Sequence, residues 1–65
     1  MSYELDAAKR YHEHAEELRT IADHDRQENT RLILLRIARD YVVMASTLEK
    51  IEQTNRLVGK HQVST

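Results

Sequence analysis

The stretch Leu32 to Leu48, Leu-Ile-Leu-Leu-Arg-Ile-Ala-Arg-Asp-Tyr-Val-Val-Met-Ala-Ser-Thr-Leu, is the only part of the chain apolar enough to be buried on several sides. Read as a helix at about 100° per residue, Leu34, Leu35, Ile37, Ala38, Tyr41, Val42, Met44, Ala45, Leu48 and Ile51 fall within an arc of roughly 200°. An ordinary surface helix needs a stripe only a little over about 100° wide. A single neighbouring helix cannot cover this arc, so two or three are required. Arg36, Arg39, Asp40, Ser46, Thr47 and Lys50 lie on the opposite side, with Leu32, Ile33 and Val43 at or beyond the edges of the arc.

The chain has little with which to meet that demand. A chain of 65 residues forms one domain at most. A domain of about this size buries only about 60% of the surface its unfolded chain exposes. Below about 70 residues one core supplies only ~3 to 5 kcal/mol, and small folds add disulfides, a metal or oligomerisation. Cysteine is absent, which removes disulfides and thiolate metal sites and fits a reducing cytoplasm. Oligomerisation is the expected route.

Absence of proline and a single glycine, Gly59, suit helices and deprive hairpin β-turns of their usual residues. No segment approaches the ~18 consecutive apolar residues of a membrane span. No basic N-terminal region precedes an apolar run as in a signal peptide. A soluble, cytoplasmic protein without membrane association is expected. The net charge of −1 is unevenly spread, −4 over residues 1–30 and +3 over residues 31–65, which favours pairing between unlike halves within or between chains.

Taken in order, Ser2 can cap a first helix over about 3–23, with Glu4 and Asp6 set against the positive end of its dipole. Leu5, Ala8, Tyr11, Ala15, Leu18 and Ala22, with Ile21 alongside, recur at spacings of three and four and define one face. Asp6/Arg10 and Lys9/Glu13 are opposite charges one turn apart. From Asp23 to Asn29 no residue is apolar, which places the connection there. Asp25 and Glu28 have the form of a capping box, with Asn29 an alternative cap. The second helix should run from about residue 27 or Thr30 to Val58, where Gly59 supplies a left-handed C-terminal residue, leaving residues 60–65 frayed. The expected fold is all-α, an antiparallel two-helix hairpin.

A shift of thirty residues superposes Leu5, Ala8, Tyr11, Ala15, Leu18 and Ile21 on Leu35, Ala38, Tyr41, Ala45, Leu48 and Ile51. The matches fall on the apolar face. Where the first helix has His12, Glu13 and His14, the second has Val42, Val43 and Met44, so the second helix should be central to an interface and the first at its rim. In an antiparallel hairpin turning near residue 26, Leu5 lies near Leu48, Ala8 near Ala45, Tyr11 near Tyr41 or Val42, and Ala15 near Ala38. Alanine layers either bring the two helices close together or leave space for a bulky residue from a second chain, because cores do not tolerate voids. Either outcome favours a homodimeric four-helix bundle, or a higher oligomer, with Ile37, Tyr41, Met44, Leu48 and Ile51 as the association face and Val42 flanking it.

Candidate chemistry is sparse. The four histidines are His12, His14, His24 and His61. A di-metal carboxylate bundle needs Glu-x-x-His pairs on inward faces, and the residues three before these histidines are Lys9, Tyr11, Ile21 and Val58. No metal or other cofactor is expected. His12 and His14 flank the apolar face, where titration near pH 6.5 could tune an interface. No thiol is present, Ser46 faces outward, and Glu13, Glu16 and Glu17 lie on open helix surface, so no catalytic residue is assigned and no enzyme is expected. Nucleic-acid binding is the rival reading, through a basic stripe of Arg31, Arg36, Arg39, Lys50 and Arg56. It lacks interleaved aromatic residues and a glycine-containing helix-turn-helix.

The pattern Tyr11-x-x-x-Ala15-x-x-Leu18-Arg19-x-x-Ala22, followed by Thr30-Arg31-x-x-Leu34-Leu35-x-x-Ala38-x-x-Tyr41, resembles a group of short, uncharacterised bacterial helical-hairpin proteins. That resemblance covers most of the chain from Tyr11 to Glu49 and implies a fold without an activity. In size and architecture the chain is also similar to the plasmid-copy-number regulator Rop, a dimerising hairpin that binds paired RNA loops. His12-Glu13-His14-Ala15-Glu16-Glu17-Leu18 resembles part of Rop's second helix but lies here in the first. Rop's RNA-contacting pattern is not recognisable, so no binding residue carries over. The sequence thus points to a small non-enzymatic module that associates with itself or docks on another protein, with a Rop-like nucleic-acid-binding dimer as the alternative.

Overall fold

The computed structural model describes residues 2–62, with side chains through Gly59. Two helices, α1 (Tyr3–His24) and α2 (Glu28–Gln62), pack against each other as a hairpin and account for the whole fold among the described residues. The hairpin is a thin rod, 59 × 17 × 10 Å, its length set by the 35 residues of α2.

Both ends of α1 are closed by hydrogen bonds. Ser2 takes extended backbone angles, and its Oγ accepts the Leu5 N–H at 3.2 Å, the expected N-cap. At the far end the Asp25 N–H donates to the Ala22 carbonyl and closes α1. The Asp25 carboxylate does not cap α2. It accepts the Gln27 N–H at 2.8 Å, a local turn that reverses the chain within residues 25–27. Gln27 then stands just before α2, its carbonyl accepting the Arg31 N–H at 2.9 Å. The capping box from Asp25 to Glu28 and the Asn29 cap are therefore not used.

The C-terminal expectation is also corrected. α2 runs through Gly59 to Gln62, and Gly59 does not take a positive φ. Glycine costs a helix interior only about 0.5–1 kcal/mol relative to alanine, and nothing packs near its α-carbon to force a turn. Residues 63–65 of the expected frayed tail lie outside the described residues.

Among the described residues the buried ones are Ala7, Ala8, Ala15, Ala22, Ala38 and Ala45, all alanines, and no large side chain is fully buried. Ala8, Ala15 and Ala22 recur every seven residues, as do Ala38 and Ala45. With four of these alanines at zero exposure, the methyl layers close within the single hairpin, and no gap remains there for a residue from elsewhere. Tyr11 meets Tyr41 across the seam, ring centroids 5.6 Å apart, in the expected antiparallel register. Ser46 departs from its expected outward position. It is half-buried, and the buried Ala7 was not among the expected face residues. Among the described residues the ion pairs do not include Asp6/Arg10 or Lys9/Glu13. The cations instead bind acids three or four residues earlier, Arg19 with Glu16, Arg31 with Glu28 and Arg56 with Glu52.

Close approach requires a side chain no larger than a methyl at these layers. Ala15→Leu should push the helices apart and lower unfolding stability by about 1–3 kcal/mol, read as a reduced urea midpoint at fixed protein concentration. An unchanged midpoint would show that the alanine seam does not control the packing.

Candidate association interface

Because the seam between α1 and α2 takes only small side chains, the large aliphatic residues of α2 are left beside it. Leu34, Tyr41 and Leu48 sit next to the alanine column and are half-buried. One further step round the helix, Ile37, Met44 and Ile51 remain 40%, 42% and 44% exposed. Together the six alternate at spacings of three and four, the pattern of a coiled-coil seam. Thr30 precedes this run and Asn55 and Val58 continue it. The hairpin thus has one seam filled by its own α1 and a second that is not filled within the chain.

On α1 the same edge carries Tyr11 and His14. The His14 ring lies 5.5 Å from that of Tyr41, and its Nδ1 is 3.6 Å from Glu17 Oε2. Leu18 is half-buried, and Ile21 is exposed. Five of the residues expected on the association face, Ile37, Tyr41, Met44, Leu48 and Ile51, therefore share one edge of α2. Val42 does not join them. It follows Ala38 by four residues, whereas Ile37 precedes Ala38 by one, which puts Val42 on the opposite flank of the alanine column.

That opposite flank is polar. His12 Nε2 approaches Glu49 Oε2 of α2 at 3.5 Å, and Leu5, Lys9, Glu13 and Glu16 complete an open depression around them. The two histidines are thus separated, His14 against the aromatic edge and His12 on the acidic flank. Among the described residues no group of three or more acidic or histidine side chains could hold a metal ion. Among the described residues no helix is long and apolar enough to cross a membrane.

The basic stripe expected on α2 is divided as well. Arg31 donates through one nitrogen to both Glu28 oxygens at 2.9 Å, and that hydrogen bond with its charge raises the guanidinium pKa further above its ordinary value. Arg56 donates to Glu52 at 2.8 Å. Arg36, Arg39 and Lys50 are exposed and carry no ion pair among the described residues.

One polar contact ties the helix ends together. The Ser2 hydroxyl, already accepting from Leu5, donates to Glu52 Oε2 of α2 at 2.6 Å. A hydroxyl has one hydrogen and two lone pairs, so a single side chain caps α1 and links it to α2. Nothing in the local sequence marks Glu52 as the partner, because the contact depends on the tertiary register. The Ser2 hydroxyl, then Arg56, hold the Glu52 carboxyl below its ordinary range. No protein-family profile, curated protein or solved structure matches the chain.

Since the folded value of Glu52 lies below the unfolded carboxylate value of about 4.3, its contribution is complete above that pH. It is lost as pH falls through the folded value. Wild type should therefore lose melting temperature more steeply than Glu52→Gln between pH 5 and the onset of acid unfolding. Parallel slopes would mean the contact is absent in solution.

Proposed function

We propose that the chain is a small, non-enzymatic self-association module in which two hairpins join through the open seam of α2 to form a four-helix bundle. The observation that carries this reading is the composition of the core. Each buried methyl is worth about 0.8 kcal/mol, against about 1.5–3 kcal/mol for a fully buried large aliphatic side chain. The single hairpin buries only alanines fully and leaves Ile37, Met44 and Ile51 in contact with water. Packing a second seam converts that exposed surface into core, and assembly contributes directly to stability.

The charge distribution supports association of like chains, since an acidic α1 and a more basic α2 offer complementary surfaces to a second copy. The absence of cysteine fits a cytoplasmic setting. A role on nucleic acid has less support. Two of its five basic residues, Arg31 and Arg56, are engaged by carboxylates of their own helix. The open acidic flank around His12 offers solvated carboxylates rather than an enclosed site.

Placing a charge in the open seam should prevent its burial. Tyr41→Asp and Leu48→Asp should each reduce the solution mass to that of a single chain, 7.7 kDa, with loss of helicity. Val43→Asp, on the outward side of α2, should leave mass and helicity unchanged. Wild-type mass and helicity in both seam variants would overturn the assignment of this face.

A further inference from the structure

Resting on that self-association reading, we infer that α2 pairs antiparallel with α2 of a second copy in one register, which sets Thr30 opposite the partner's Asn55. The open seam is self-complementary in this register. Leu34 then meets the partner's Ile51, Ile37 the partner's Leu48, and Tyr41 the partner's Met44, so three apolar residues on either side of the centre find apolar counterparts. The two polar residues of the seam, Thr30 and Asn55, face each other at both ends by symmetry. Asn55 is exposed and its amide has no side-chain partner among the described residues, while Thr30 is half-buried with only a 3.5 Å contact to Gln27.

Antiparallel layers stay matched only if one helix slides by whole heptads, so the neighbouring registers are few. Sliding one heptad one way sets Asn55 against the partner's Ile37, burying an amide without a hydrogen-bond partner. Sliding the other way sets Thr30 against the partner's Leu48 and carries Ile51 past the start of the partner's α2. The inferred register avoids both. A polar residue at one seam position is a known means of fixing register in coiled coils, and Asn55 fills that role here.

The test uses the absence of native cysteine. In T30C/N55C the two thiols lie about 37 Å apart along one helix, so any disulfide must join two chains. The expected result is complete conversion to a covalent dimer whose digestion yields only the 30–55 link. L34C/I51C, the adjacent layer, should behave alike and guards against misfolding of the first variant. The slipped-register pairs I37C/N55C and L34C/M44C should stay at background. Links of 30 to 30 and 55 to 55, or efficient linking of a slipped pair in a chain that scatters light as a dimer, would overturn the register but leave self-association standing. A monomer with no link in any variant would overturn both.

Discussion

The buried core of the molecule is made of alanine methyl groups, and the rest of the structure follows from it. Alanines spaced by seven on α1 and α2 form the fully buried column between the two helices. Helices that approach so closely gain dispersion contacts along their length, and alanine loses no side-chain entropy on ordering. The same choice limits what the hairpin can hide. Bulky aliphatic residues are displaced from the alanine column, and on α2 Leu34, Ile37, Met44, Leu48 and Ile51 line up beside it as a second seam. Tight pairing within the chain therefore creates the apolar edge that calls for pairing outside it.

Polar groups fix the register that the methyl layers alone would leave free to slide. At the open end Ser2 couples the α1 cap to Glu52, and Arg56 holds the other carboxylate oxygen. At the closed end Asp25 turns the chain within residues 25–27. Midway, Tyr11 and Tyr41 stack at a tilt of 42°, and His14 joins them from the same edge. The tyrosine and histidine contacts lie along the margin of the open seam.

The periodicity made the two helices, their antiparallel order and the Tyr11–Tyr41 contact legible, because each follows from helical spacing and one short turn. The internal repeat marked the alanine columns, although it could not decide whether they would close within one hairpin. Only packing answers that question. Local signals were weaker guides at the ends. Asp25 had the chemistry of a cap but satisfied a turn instead, and Gly59 could end a helix yet lies in one without a positive φ. Val42 shares the apolar arc with Met44 but falls on the far side of the alanine column, a division that appears only once the arc is split between two neighbours. Glu52 carried no sequence signal, because its partner is fifty residues away in the chain.

The most direct test of the central claim is light scattering over a range of protein concentrations, with helicity recorded on the same samples. A discrete oligomer that loses helicity only as dilution dissociates it is the predicted result, because the second seam is part of the core. A monomer of 7.7 kDa that stays fully helical at every concentration would contradict it, and would show that the alanine seam alone sustains the fold.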